Sequence, residues 1–581
     1  MASTDTNTPA TATPAQAAPA QAAPTTAAPP APLDHPNWRI ALFLLAASII
    51  GLSQSLGQGF LFANTRQIAG EIGASQTQAT WLMVAYMAPR ASLPLLLIKM
   101  RTQFGLRKFA LWSVVAYVIA TVLGLFVDDL HSAIVIEFFT GIAAAPLTSL
   151  AVLYMLEALP PAKKLSVGLT GALTVIMLGT PLGRALTPSL WDIGGWEATK
   201  FLVLGLVFLS IPFILYLPLS HAPRMKVIHP LDLVSYAGIA LGFAGIAAVF
   251  TWGTTDWWTN GLWLGVVLAG SLAALTAAAM LELSRDTPLI DIRWIATPEI
   301  LHLTGVLLLF RIVLSEQSVG SPYLFMSLGL GNEQMAPLFW VISAFTLVGG
   351  FLCGALITPQ RVPLIHGAAL LMLLTGALMD SHSTALTRPE QMFVSQALIA
   401  TASMLYMPSA MAIGLMKALA KGPQYLLTFV AVFLSTQVLG SLIGSGLLRT
   451  FIQYRTAHHS AVLKEQLMAG DPMVTSTITQ LMNAYASQIT DVTQRKLQAI
   501  STLASQLSTQ ATVLAYDDVF LLLAGVAGTA LLLLIGHVAW LKLFPAPAPA
   551  APAAPQPAAA APAAGSSPST GAAPSAAPAT A

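Results

Sequence analysis

Apolar segments of about 20 residues follow one another from residue 40 to residue 541, each long enough to carry a helix across the hydrocarbon core of a bilayer. Lipid offers no partners for backbone N–H and C=O groups, so each segment must satisfy them internally, which a helix does. The strands of a membrane barrel would alternate apolar and polar residues, and these runs do not. Read in turn, they predict fourteen spans, among them 165–188, 200–219, 301–328 and 519–541. The stretch 301–328 is long enough to tilt, break or lie partly outside the bilayer. Composition agrees: only 9% of residues are charged and 56% are hydrophobic, against about one-quarter charged in soluble domains. The expected fold class is an all-α polytopic membrane protein. A net charge of +2 without a basic face gives no reason to expect nucleic acid as a partner.

The ends differ from the middle. Residues 1–37 and 542–581 are rich in Ala and Pro and are expected as disordered tails. No Lys or Arg precedes Arg39, so the first span lacks the basic flank of a cleaved signal and is expected to stay in the membrane. Alternate connections carry Lys99, Arg101, Arg107 and Lys108, then Lys163 and Lys164, Arg224 and Lys226, Arg285 and Arg293, Arg361, and Lys417 and Lys421. The opposite short connections hold only Arg66, Lys200 and Arg388. Cytoplasmic loops carry the excess of positive charge, which predicts both termini in the cytoplasm. The outer connection 449–518 is polar, yet Ile478, Leu481, Met482, Tyr485 and Ile489 recur at helical spacing, so an amphipathic external helix is expected there. Its stripe needs either its own neighbour or another protein.

Several chemistries have no support. Cys353 stands alone, His131, His221, His229, His382, His458 and His459 lack metal-ligand spacing, and no phosphate-cradling GxxxxGK[ST] occurs. No metal, cofactor or enzyme activity is expected.

The stretch 169–189, LTGALTVIMLGTPLGRALTPS, places Gly171, Gly179, Pro181 and Gly183 on one span and resembles the Gly/Pro-rich fifth-helix motif of major facilitator antiporters. KMRTQFGLRKF after the second span resembles that superfamily's basic loop motif, keeping Gly105, Arg107 and Lys108 with Thr102 in place of the acid. With fourteen spans, HPLDLVSYAGIALG, ELSRDTPLIDIRW and ATVLAYDDVF, the chain is similar to the drug/proton antiporter branch of the EmrB/QacA-like exporters. That resemblance implies two six-helix bundles, 38–219 and 301–541, with two extra helices within 220–300, rocking about a central cavity. It implies proton-driven efflux of small molecules from a bacterial inner membrane, with no cofactor beyond the proton gradient. For members with a large outer loop it also implies a periplasmic adaptor and an outer-membrane channel. An uncoupled carrier, or a non-transporting scaffold or sensor, are the rival readings.

Two departures direct attention to charge. The first span offers Ser53, Gln54, Ser55 and Gln58 where the family often has an Asp, and Glu137 stands where it usually has Arg. Within spans lie Arg90, Glu137, Arg184, Arg311 and Glu316, each expensive in hydrocarbon and expected to face a cavity or a partner. Counted along their helices, Glu137 and Arg184 fall near the outer surface and could pair, making Glu137 either an outer proton site or half of a latch. Arg90 and Arg311 fall near the midplane, where they could form a cationic floor for an anionic substrate. Glu316 has no Arg at one helical turn, leaving it a proton-coupling candidate. Tyr86, Met83, Phe310, Tyr323, Phe325, Trp340, Tyr406 and Met404 are candidates for an adaptable pocket lining, or for packing and lipid contact.

Overall fold

A computed structural model describes residues 36–157, 159–160, 163–219, 224–467 and 471–544. His221 and nearly all of both expected tails lie outside these residues. In chain order the helices are α1 (Asn37–Glu71), α2 (Gln76–Phe104), α3 (Leu106–Leu123), α4 (Leu130–Glu157), α5 (Leu169–Tyr216), α6 (Pro230–Trp252), α7 (Leu262–Leu283), α8 (Ile292–Ile295) and α9 (Pro298–Val313). They continue with α10 (Glu316–Val319), α11 (Ser321–Ser327), α12 (Asn332–Leu356), α13 (Val362–Asp380), α14 (Phe393–Lys421), α15 (Pro423–Gln466), α16 (Pro472–Ala484) and α17 (Val492–Leu543). The described residues contain no strand.

Thirteen helical stretches among the described residues are long and apolar enough to cross a membrane, against fourteen expected spans. The difference lies in α5, where Gly195 takes φ +55° beside an extended Gly194. A left-handed φ suits glycine, which has no Cβ to clash. The turn separates two arms that correspond to the expected spans 165–188 and 200–219. The ninth span is broken: α9 stops at Val313, α10 is a single turn, and Gly320 interrupts the chain before α11.

Close approach of backbones organises the interior. α1 lies along α5, with Gly59, Gly179 and Gly183 at the crossing. A Cβ on Gly179 would fall inside Ser55, and one on Gly183 would lie 2.9 Å from the Gly59 carbonyl carbon. Small residues let membrane helices pack where lipid provides no hydrophobic drive. α5 also packs on α12, and α2 packs on α4, α6 and α15.

Hydrogen bonds fasten both ends of the bundle. At the end expected to face outward, Asn332 Nδ2 donates to Ala63 O and Asn64 Oδ1 at 3.4 Å, and Asn64 Nδ2 donates to Thr187 Oγ1 at 3.1 Å. At the opposite end Asp232 accepts from Lys99 at 2.7 Å and from Arg285 at 2.6 Å, and Arg285 also reaches Glu282 at 2.9 Å. Burial works against the Arg285 charge, but hydrogen bonds and attraction from Asp232 and Glu282 hold its guanidinium above its ordinary value. Gly105, at φ +83°, leaves room for Arg224, whose Nε lies 2.9 Å from where a Cβ would stand. Arg107 and Lys108 are exposed.

The connection 449–518 is not a loop with one helix. α15 continues through it to Gln466, α16 follows, and α17 runs from Val492 straight toward the last span. Asp518 clamps the two long helices, accepting from Arg455 Nε and lying against His459 Nε2, each at 2.6 Å. Tyr485 bonds Thr502 at 2.9 Å. Ile478, Leu481, Met482 and Tyr485 are half-buried, whereas Met473, Val492 and Leu497 remain exposed.

Candidate functional site

A cavity of about 130 Å3 lies among α1, α2, α5, α9, α12 and α15, and Arg90, Arg184 and Arg311 all line it. Its other walls are Gln58, Met87, Pro181, Gln317, Phe339, Phe433 and neighbouring small or apolar side chains. No Asp or Glu is among its described lining residues.

Each guanidinium is held differently. Arg90 donates to Gln54 Oε1 at 2.6 Å, to Tyr86 Oη at 2.8 Å and to Gln58 Oε1. The amides that replace the family's first-span acid therefore orient Arg90 without neutralising it. Arg311 donates to Gln437 O at 3.3 Å and Ser441 Oγ at 3.2 Å. Arg184 lies over Phe339, 5.3 Å from the ring centre, and its Nε has no partner. A buried cation over an aromatic face, with a free donor beside it, is poised for a planar anion.

Arg184 does not meet Glu137. Glu137 Oε1 accepts from Lys200 Nζ at 2.7 Å, on the second arm of α5, and Lys200 also sits 4.4 Å from the Trp196 ring centre. Rise per residue gives depth but not which side of a helix a residue faces, and the turn at Gly194–Gly195 returns Lys200 to the level of Glu137.

Glu316 lies outside the cavity wall, buried behind Gln317 and Ser318, with Oε1 accepting from Gln396 Nε2 at 3.0 Å. Of the expected pocket lining, Met83 and Tyr323 reach a smaller adjoining cavity that shares Arg184 and contains Arg449. Phe310 stacks on Tyr406 at 3.7 Å, Phe325 and Met404 are packed inside, and Trp340 is half exposed on the bundle's outer face. Arg449, which donates to Tyr323 Oη at 2.5 Å, escapes sequence reading because it sits at the start of a polar connection. Asp380 escapes it because a carboxylate at a helix end is ordinarily solvated, yet this one is buried.

Gly171 faces Met155 with ordinary clearance, Gly179 and Gly183 form the α1 crossing, and Pro181 reaches the cavity. The sequence pattern described as Major Facilitator Superfamily matches residues 43–445. The chain belongs to that superfamily. It is 24% identical over 262 residues to the multidrug export protein EmrB of Haemophilus influenzae, covering 44% of this chain and 49% of that one. It is 27% identical over 235 residues to the fatty acid resistance protein FarB of Neisseria gonorrhoeae, covering 39% and 44%. These matches span about half the length of either relative. Among solved structures, the human organic anion transporter MFSD10 superposes with a TM-score of 0.50 at 14% identity, over 85% of this chain and all of that one. A bacterial homologue of the human drug peptide transporters PepT1 and PepT2 gives 0.51 at 12% identity, over 87% and 99%. At such identities the likeness is one of fold. It is the superfamily's all-helical, multi-pass membrane architecture.

Proposed function

We propose that this superfamily member is a proton-coupled secondary exporter of small amphipathic compounds, with aromatic or aliphatic organic anions as its main class. The observation that carries the reading is the convergence of three guanidinium groups on one apolar-walled cavity that no described carboxylate lines. Buried charge of one sign is costly unless something neutralises it, and an anionic substrate does so while its apolar body meets Phe339, Phe433 and Met87. The direction is outward from the cytoplasm, in keeping with what its EmrB and FarB relatives are named for. The site is a bacterial inner membrane with both termini inside, as the distribution of Lys and Arg supports. Glu316 is the main proton carrier, and Glu137 with Lys200 is a latch between α4 and α5. The outer helices of 449–518 are the surface offered to a periplasmic adaptor leading to an outer-membrane channel.

The test is counterflow and substrate-evoked proton flux in proteoliposomes, with the aromatic sulfonate anilinonaphthalene sulfonate and the cation ethidium as probes. A sulfonate carries no proton of its own, so acidification reports coupling. Transport of the anion, weakened in Arg184→Gln and Arg311→Gln, supports the reading; ethidium transport indifferent to both substitutions overturns the anion assignment. Exchange without proton flux would favour an uncoupled carrier, a reading motivated by Gln54 and Gln58 standing where a first-span acid is usual. No movement of either probe would favour a scaffold or sensor.

A further inference from the structure

Glu316 and Asp380 share one hydrogen-bond donor. Gln396 Nε2 donates to Glu316 Oε1 at 3.0 Å and to Asp380 Oδ2 at 2.8 Å. Ser321 N adds a 3.2 Å bond to Glu316, and Ser395 Oγ donates to Asp380. Both carboxylates are 2% exposed, and Gln396 is fully buried. They come from distant parts of the chain: the broken ninth span, the last residue of α13, and α14.

Among the described residues, neither carboxylate is ion-paired to a Lys, Arg or His. The titratable groups around them are engaged elsewhere. Arg311 bonds Gln437 O and Ser441, His382 Nδ1 turns to Ser381 and Leu378 O, Asp517 accepts from Ser383 N, and Arg449 holds Tyr323. Two buried oxygens at the cluster have no hydrogen-bond partner: Glu316 Oε2 and Gln396 Oε1. Gly320 makes the room, since a Cβ there would lie 2.8 Å from Glu316 Cγ and 3.0 Å from its Oε1.

Two ionised carboxylates joined through one amide, without a cation, repel each other in a site of low dielectric. An unpartnered buried carboxylate oxygen adds a desolvation cost. One proton relieves both penalties, because it removes a charge and turns an acceptor-only group into a donor facing neighbours that lack one. We infer that Glu316 and Asp380, bridged by Gln396, form a two-carboxylate site that holds a single exchangeable proton between them. The inference rests on the proton-coupled reading and gives Glu316 a second acid there. Loading and unloading that proton acts on α10, a single turn that also carries the cavity-lining Gln317 and Ser318, so the site is wired to the substrate cavity through one short element.

The test uses the purified full-length protein. Infrared difference spectra across a pH series should show one protonated-carboxyl band in the wild type, whose titration moves to lower pH at undiminished intensity in Glu316→Gln and in Asp380→Asn, because the repulsion is gone while one buried carboxyl remains, and which only the double variant abolishes. Groups that act as a unit are non-additive, so in proteoliposomes each single variant should lower sulfonate-evoked proton flux about tenfold and the double variant no further. Half of the band lost in each single variant, or a response that follows sodium rather than pH, overturns the shared proton. Flux abolished by Glu316→Gln but untouched by Asp380→Asn overturns the pair and leaves coupling standing. A shared band with no flux in the wild type supports the pair and overturns the coupling reading. Should Asp380→Asn fail to fold, Gln396→Leu serves: it should split the band into two separate titrations, and an unchanged single band overturns the bridge.

Discussion

Lys200 Nζ lies 2.7 Å from Glu137 Oε1, and both side chains are buried between α4 and the second arm of α5. A buried pair is most damaging when only one partner is removed, at about 3–5 kcal/mol, because the other charge is left uncompensated. Lys200→Met should therefore lower thermal stability strongly, and the double variant Glu137→Gln/Lys200→Met should recover most of the loss. The readout is a melting curve of the detergent-solubilised protein. Recovery of transport alongside stability identifies a latch; a stable but silent double variant makes Glu137 a coupling residue.

The cavity arginines should separate by what else they hold. Arg184 has a free Nε and stacks on Phe339, so Arg184→Gln should weaken sulfonate binding about tenfold, or about 1.4 kcal/mol, with little change in melting. Arg90 anchors Gln54, Gln58 and Tyr86, so Arg90→Gln should reduce both affinity and stability. Fluorescence titration and melting of the same samples check both.

Glycines of one motif should respond unequally to alanine. At Gly179 the added methyl meets Ser55 inside contact distance, whereas at Gly171 it meets Met155 Sδ at 3.4 Å. Overpacking costs about 1–3 kcal/mol or more where nothing can give way. Gly179→Ala should reduce expression and transport, and Gly171→Ala should leave both near wild type.

Cys353 is fully buried, so an introduced thiol can be labelled selectively. Met473→Cys and Leu497→Cys, at 77% and 63% exposed positions, should react with a membrane-impermeant maleimide added outside spheroplasts. Labelling only after permeabilisation would invert the proposed orientation. Crosslinking from the same two positions is the means to find an adaptor.

The fold class was legible because a bilayer imposes segment length and apolarity directly on the sequence. The fourteen expected spans map onto thirteen long apolar helical stretches among the described residues, because α5 carries two of them as arms on either side of the turn at Gly194–Gly195. Azimuth around each helix was not legible. By depth alone Arg184 is the natural partner for Glu137, while Lys200 falls in an outer connection, and only the fold turns Lys200 onto Glu137. In the connection 449–518 the apolar spacing marks one amphipathic helix, whereas the extension of both flanking span helices into it is hidden, because they turn polar beyond the span and polarity alone does not distinguish a projecting helix from a coil. Asp380 and Gln396 were invisible for a related reason: one marks a helix end, the other is uncharged, and only the folded chain brings them to Glu316.

The helices that leave the bilayer have a mechanical consequence. From Val492 to the clamp at Asp518, α17 is unbroken, a rigid arm of about 40 Å at 1.5 Å per residue. Such an arm multiplies any rotation at its base, so a tilt of about 10° would sweep its tip through about 7 Å. Under the proposed transport cycle, a partner at that tip would receive such a rotation as a displacement larger than a helix turn.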